Sequence, residues 1–531
     1  MNQPASPFAV LRLPLLAAPL WLAACTSLAP SPEVPALPVP ATFDAPAPPS
    51  APLAGAPSSA TQPLYVQDAR LRTLLGMALA DNRDLRVALL AVERARAQYG
   101  IAQADLLPTV NATGAASRTR TADDLTAAGR GNAGSQYSAS IGSAAYEIDF
   151  WGRVRNLNEA ALQEFLRTQS SRDSVRITLA SDLILAWLNL DADARRLQLA
   201  RATLRAREQQ LQLTSRTREL GAASGLTLAQ VQTTVEGARA DVAAYQAQVA
   251  KDRNALALLV GVPVPDNLLP GSVAPALRAP PPLPPLGSSE AGNVGASAPD
   301  ARAAATATAT AAAPAAPATA LPAVPPGLPS SVLLARPDVR AAEHALAGAS
   351  AQIGVARAAF FPSISLTASV GTASNELAGL FAGGNGTWSF GPQIRLPIFD
   401  AGRNRANLRV AEVARESAVA QYERAIQGAF REVRDALADR DTLAERLQAQ
   451  ESLVQASARV LELSQARFRL GADNYQAVLD AERSLYTAQQ SLIALQLAEQ
   501  ANRVALYRAL GGQWRLGDPL APGQADIPAV Q

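Results

Sequence analysis

IGVARAAFFPSISL, residues 353–366, decides the fold. Up to Phe361 it closes a helix of about 25 residues, Pro362 stops that helix, and Ile364, Leu366, Ala368 and Val370 then alternate with Ser363, Ser365, Thr367 and Ser369. The period changes from that of a helix to that of a strand with one apolar face. The same switch occurs earlier: Asp84-Leu85-Arg86 through Leu106-Leu107-Pro108 reappears as Asp338-Val339-Arg340 through Phe360-Phe361-Pro362, at a constant offset of 254. Further on the offset is 250, matching Trp151-Gly152-Arg153 with Ala401-Gly402-Arg403, Gly221-Ala222 with Gly471-Ala472, and Gly261 with Gly511. The chain is a duplication, and variable length is tolerated between Pro108 and Gly152.

Between Gly152 and Gly221 lie 68 residues without Pro or Gly, and 68 separate Gly402 from Gly471, interrupted by Gly428. At about 1.5 Å per residue each is a rod of roughly 100 Å. Leu183, Leu190, Leu197, Leu204 and Leu211 recur every seven residues, as do Val433, Arg440, Leu447, Val454 and Leu461. A heptad seam needs a partner helix. The expected partner is a helix over 226–260 after Gly221, stacked end to end on the helix that closes at Phe361, and its counterpart in the other half. Two long and four shorter helices then make sheets of antiparallel coiled coil.

Each half also carries a hairpin, with strands expected over about 109–120 and 136–150, and about 363–374 and 387–399. In the last strand Trp388, Phe390, Ile394, Leu396 and Ile398 share one face, opposite Thr387, Ser389, Gln393 and Arg395. The first half is weaker: Tyr146, Ile148 and Phe150 share a face, while Val110 to Arg120 is mostly small and polar. Strands of about 10 residues, apolar on one side and polar on the other, have the pattern of an outer-membrane barrel, with Ile364, Leu366, Trp388, Phe390, Ile394 and Leu396 facing lipid. A soluble hairpin with one buried face has the same pattern. Open strand edges are intolerable in lipid, so four strands per chain require several copies to close one barrel.

Composition narrows the function. Aromatic residues are 5% and hydrophobic residues 48%, an Ala, Leu and Val diet suited to long packed helices. The 47 basic and 45 acidic residues leave a net charge of +2 with no basic tail, which argues against nucleic acid. One histidine, His344, and one cysteine, Cys25, cannot build a zinc site, a His-based triad, a haem motif or an intrachain disulfide, so no metal or cofactor is expected. Residues 1–24 read as a secretory signal, with Arg12, the apolar run Leu13 to Leu22, and then Leu22-Ala23-Ala24-Cys25. That ending looks like a bacterial lipobox, in which the Cys25 thiol takes a diacylglycerol. Thr26 in place of Asp implies sorting to the outer membrane. Two Pro/Ala-rich tracts, 25–63 and 262–330, lack apolar periodicity and read as extended linkers around repeats at 64–261 and 331–515, with a tail at 516–531.

The phrases YEIDFWGR (146–153), IGVARAAFFPSISL (353–366), WSFGPQIRLPIFDAGR (388–403), NYQAVLDAERSLYTAQQSL (474–492) and ALYRALGG (505–512) resemble, in order and spacing, the TolC-like outer-membrane efflux proteins of the NodT-type lipoprotein subgroup. The resemblance covers residues 65–261 and 330–515. It implies a mixed α and β fold: a homotrimer in which twelve strands share one transmembrane barrel above a periplasmic α-barrel. It implies a passive duct for small molecules, supplied by an RND-type inner-membrane pump through a periplasmic adaptor. The family's Tyr-x-x-Pro segment after the lipidated cysteine is not recognisable here, and the stretch between the halves carries an Ala/Pro insertion.

Gly221, Ala222, Gly471 and Ala472 are the expected periplasmic tips, which by resemblance meet the adaptor. Gln476, Asp480 and Arg483 share a helix face, because offsets of three and four align. The family carries an acidic gate ring at the position of Asp480 and an Arg at Arg483, whereas Gln476 replaces an apolar residue. The bland reading is a solvated surface pair. An enzyme is disfavoured, since Glu147 and Asp149 have no histidine, cysteine or phosphate loop to work with. A coiled-coil adaptor lipoprotein is the better rival, but one hairpin with flanking lipoyl-like motifs would serve it, and this chain has two equivalent halves.

Overall fold

Glycines in the left-handed region punctuate the chain. Gly152, Gly221, Gly261, Gly402, Gly471 and Gly511 all have φ between 73° and 87°, and each sits at a helix boundary. The computed structural model describes residues 27–31, 35–43, 65–122, 124, 132–271, 273, 319–320 and 329–512. The signal, Cys25, most of both Pro/Ala tracts and the tail lie outside them.

A short strand, β1 (Tyr65–Val66), precedes helices α1 (Ala69–Asp81) and α2 (Arg83–Ala104), strands β2 (Asn111–Arg120) and β3 (Ala133–Ile148), and helices α3 (Arg153–Glu219) and α4 (Gly225–Val260). A short strand β4 (Thr319–Ala320) opens the second half, which continues with α5 (Pro337–Ala358), β5 (Ser363–Ser374), β6 (Gly386–Arg395), α6 (Arg403–Arg469) and α7 (Tyr475–Ala509). The long helices α3 and α6 have 67 residues each, as the glycine spacing requires.

The chain divides into two compact units. The first comprises residues 1–38, 88–172 and 338–425 and contains one antiparallel sheet of order β2-β3-β5-β6. Among the described residues no strand lies beside its two edges, β2 and β6. Register places Val370 opposite both Trp388 and Ile141, Ala368 opposite Phe390, and Ile364 opposite both Ile394 and Ile148. A bulge in β3 makes this possible. Ser143 pairs with Ala368 and Tyr146 with Leu366, so three steps on β3 answer two on β5. Ala145 takes φ 56° and donates its N–H to Thr367 Oγ1 at 3.1 Å. The extra residue flips the parity of β3 and carries Ile141 to the same face as Tyr146 and Ile148.

Strand ends differ from expectation. β3 stops at Ile148, leaving Phe150 outside, and β6 stops at Arg395, leaving Leu396 and Ile398 past the last pair. Pro397 has no N–H to continue the ladder, and Ser363, the partner of Arg395, directly follows Pro362. Leu396 is therefore not a strand residue.

The second unit comprises residues 39–87, 173–337 and 426–531. Its core joins Leu71, Leu74 and Leu75 of α1 to Leu183, Leu190 and Leu197 of α3, Val249 and Leu256 of α4, and Val504 of α7. The α3 seam read from the sequence is thus fully buried over its first three leucines. In α6 Val433 is buried, but Arg440 is exposed and bonded to Asp441, so the second seam is broken there. The linker ends are packed rather than loose. Phe43 stacks on Phe430 with ring centroids 5.0 Å apart, Leu269 and Val273 join the core, and Thr319–Ala320 pairs antiparallel with Tyr65–Val66.

The duplication extends to side chains. Asn82 Nδ2 donates to the carbonyl of Leu259 at 2.9 Å, and at the equivalent place Arg336 Nη1 donates to the carbonyl of Ala509 at 2.6 Å. Each closes the C-terminal end of a helix whose last carbonyls lack helical partners.

Candidate functional site

In the first unit the sheet presents a continuous apolar face. Trp388 is 80% exposed, Phe390 63%, Ile394 68% and Val370 64%, while Ile364 and Leu366 are half-buried. A contiguous apolar surface of this kind marks a membrane or protein contact. Below the strands, Trp151 stacks on Phe361 with centroids 4.6 Å apart and donates Nε1–H to the carbonyl of Pro362 at 2.9 Å. Glu147 is held by Arg153 in a two-pronged pair at 2.7 and 2.6 Å, and Asp149 accepts from the backbone N–H of Arg155 at 2.8 Å. The carboxylates weighed for catalysis are thus committed to the start of α3.

The two tips in the second unit are built alike. Gly221 N–H donates to the carbonyl of Arg218 and Ala222 N–H to that of Thr217; Gly471 and Ala472 repeat this with Phe468 and Arg467. These are Schellman closures, in which the left-handed glycine lets two backbone donors fold back on the last turn. Ser224 then caps α4 by accepting from Thr227 N–H, and Asn474 caps α7 by accepting from Ala477 N–H. All four predicted tip residues are exposed, as are Leu220 at 85% and Leu470 at 84%, which the sequence reading passed over. An ion pair between Arg467 and Asp473 braces the second tip alone, since Thr217 and Ala223 stand at the matching positions.

The structure brings Gln476, Asp480 and Arg483 together. Asp480 Oδ1 accepts from Gln476 Nε2 at 3.1 Å and from Arg483 Nη1 at 3.4 Å, and the Asp480 carbonyl accepts from Ser484 Oγ at 2.8 Å. All of them are exposed in the single chain. About 100° around the same helix runs its buried seam, where Tyr475 and Leu479 pack with Val231 of α4. Higher in that seam Tyr486 donates its hydroxyl proton to Asp241 Oδ2 at 3.1 Å, and Arg207 lies over the Tyr486 ring. Burial pushes the Glu482 carboxyl up, while the Arg207 charge opposes the shift. The seam partners were not predicted, because they join helices whose pairing the sequence leaves open.

Among the described residues no helix is long and apolar enough to cross a membrane, and no cluster of His, Cys, Asp and Glu could hold a metal ion. The family model for outer membrane efflux proteins matches residues 74–262 and 328–512. The chain belongs to that family. It is 42% identical over 463 residues to the toluene efflux pump outer membrane protein TtgC of Pseudomonas putida, covering 87% of each chain. It is 40% identical over 505 residues to the outer membrane protein OprJ of Pseudomonas aeruginosa, covering 94% of this chain and 95% of that one. The solved open state of the Neisseria gonorrhoeae MtrE outer membrane channel superposes with a TM-score of 0.73 at 35% identity, covering 92% of this chain and 98% of that one. The protein is accordingly an outer-membrane efflux channel of a Gram-negative bacterium, and the family's members are channels rather than enzymes.

Proposed function

We propose that this chain works as a homotrimeric, passive exit duct for small molecules, fed by an RND-type inner-membrane pump through a periplasmic adaptor. The observation that carries the reading is the four-stranded sheet with an exposed apolar face and two edges unpaired among the described residues. A lipid-exposed edge leaves backbone groups unsatisfied at several kcal/mol each. Pairing β6 of one copy with β2 of the next removes every edge, and three copies supply twelve strands. Ile364, Leu366, Trp388, Phe390 and Ile394 then face lipid, and Leu396 lies at the barrel rim.

The matched tips at Gly221–Ala222 and Gly471–Ala472 are the adaptor contacts, with Leu220 and Leu470 as their apolar points. Three-fold symmetry gathers three Asp480 carboxylates into a ring at the periplasmic entrance, where Gln476 and Arg483 orient them. Like charges held together favour cations and resist closure of the ring without counter-charge, which Arg483 provides. Cys25 carries the lipid that accompanies the barrel into the outer membrane; its loss is expected to abolish fatty-acid labelling and leave trimer in place. The gate is tested in a planar bilayer: Asp480→Ala raises conductance, or weakens cation preference and block by multivalent cations. Unchanged values from a folded trimer would place the constriction elsewhere.

A further inference from the structure

Strand register fixes which side chains of β2 share a face with the apolar stripe. Val370 of β5 stands opposite Ile141 of β3, and Ile141 stands opposite Ala112 of β2. Side chains alternate along a strand, so the face of Val370, Trp388 and Phe390 continues on β2 as Ala112, Gly114, Ala116, Arg118 and Arg120. On β3 the same face carries Ala139 and Tyr137 beyond Ile141. Arg118 and Arg120 close β2 at its hairpin end, away from α2, and both are exposed.

Their depth follows from strand geometry. At about 3.3 Å per residue and a tilt near 40°, a barrel strand climbs about 2.5 Å with each residue. Val110 stands two residues after Pro108, as Ile364 at the base of the β5 face stands two after Pro362. Arg118 and Arg120 come eight and ten residues past Val110. They therefore lie about 20 and 25 Å up, where an apolar band about 25 Å tall gives way to head groups. An outward arginine is costly at mid-bilayer and tolerated at that boundary.

The second repeat uses the matching positions differently. Counted from Pro108 and Pro362, Arg118 matches Thr372 and Arg120 matches Ser374. Thr372 Oγ1 donates to the carbonyl of Leu380, and Ser374 Oγ accepts from Glu376 N–H at 3.1 Å. Asn385 Nδ2 closes the same loop on the carbonyl of Gly379 at 2.6 Å. These hydroxyls draw the β5–β6 loop toward the apolar face, with Leu377 and Phe381 exposed on it. One repeat brings its own apolar loop to this face, and the other sets two guanidinium groups there.

We propose that Arg118 and Arg120 bind the phosphate groups of outer-leaflet glycolipid, lipopolysaccharide, whose acyl chains pack on the adjoining apolar face. The outer leaflet of a Gram-negative outer membrane is built of phosphorylated glycolipid, so charge complementarity and continuity with the apolar face select this occupant. The two arginines stand about 7 Å apart along one strand face. Each offers a planar fork of donors that fits a phosphate. In the proposed trimer the pair occurs three times around the barrel. The inference rests on the lipid-facing reading of the sheet given above.

The full-length trimer in detergent, titrated with deep-rough lipopolysaccharide and with the same lipid stripped of its phosphates, tests it. The parent is expected to bind the phosphorylated lipid roughly tenfold more tightly or better. That preference should shrink as salt rises and persist in excess inorganic phosphate. Arg118→Thr combined with Arg120→Ser, which copies the other repeat, is expected to lose the preference while native mass spectrometry still shows trimer. Arg118→Lys with Arg120→Lys keeps the charge without the fork and should retain a smaller preference. Equal binding of the two lipids by the parent, or an unchanged preference in the first double variant, overturns the proposal. Competition by inorganic phosphate overturns the glycolipid as occupant. A nitroxide on Val370→Cys in a Cys25→Ser background, in lipid vesicles, is expected to be relaxed by oxygen and shielded from a water-soluble nickel chelate. The reverse would overturn the lipid-facing reading itself, whatever the arginines bind.

Discussion

Asp252 occupies a seam position of α4 between Val249 and Leu256, both fully buried. Burial, with Asp193 of α3 beside it, pushes its carboxyl up to about 6, against the help of Gln248, which donates to Oδ1 at 2.9 Å. Asp193 is itself bonded to Arg196 at 2.6 Å. Because the folded value stands above the unfolded value near 4, the folded state binds more protons in that interval, and stability falls as pH rises through about 6. Asp252→Asn is expected to raise the thermal midpoint at pH 7.5 and to change it little at pH 4.5, measured on the detergent-solubilised protein. At the second tip, Gly471 at φ 73° has open space around it, so the obstacle to a side chain is backbone strain of about 1–2 kcal/mol. Gly471→Val should weaken efflux with trimer retained, whereas Gly471→Asn, able to take the left-handed conformation, should keep activity in a drug-susceptibility assay. The shared face of Gln476, Asp480 and Arg483, proposed above as the gate, was legible because it lies within one helix. Asp193 with Asp252, and Tyr486 with Asp241, were not, since each pair depends on which helices meet and in what register.

The ends of α3, α4, α6 and α7 were legible almost to the residue, because a left-handed glycine follows each and the sequence displays it, whereas α1, α2 and α5 end without one. Strand detail was harder. The bulge at Ala145 uses an alanine with positive φ, which no composition rule flags, and it alone brings Ile141 to the apolar face. A deletion of Ala145 should push Ile141 to the polar face and reduce assembled protein in outer-membrane extracts. The packed linker ends were equally hidden, since Phe43 finds Phe430 across most of the chain. They also set the limits of a permissible deletion. Residues 283–315 should be removable with trimer intact, because long loops add little closure entropy, whereas extending the deletion through Thr319–Ala320 removes the partner of β1 and should lower yield. Arg336, almost fully buried, ties α6 and α7 together through Glu432 at 2.9 Å and the carbonyl of Ala509. Arg336→Ala is expected to cost about 2 kcal/mol, seen as a lower midpoint in thermal unfolding.

For the whole molecule, the single chain is an incomplete object. Among the described residues its sheet ends in two unpaired strands and nothing covers its apolar face, and the carboxylate of Asp480 is exposed. The proposed trimer would resolve each of these, with lipid against the strands and further copies against the edges. The mass of the intact particle measures that closure directly. Native mass spectrometry of the full chain, extracted from outer membranes in mild detergent, is expected to give three chains per particle. A particle of one or two chains, with the sheet folded and the channel active, would contradict it.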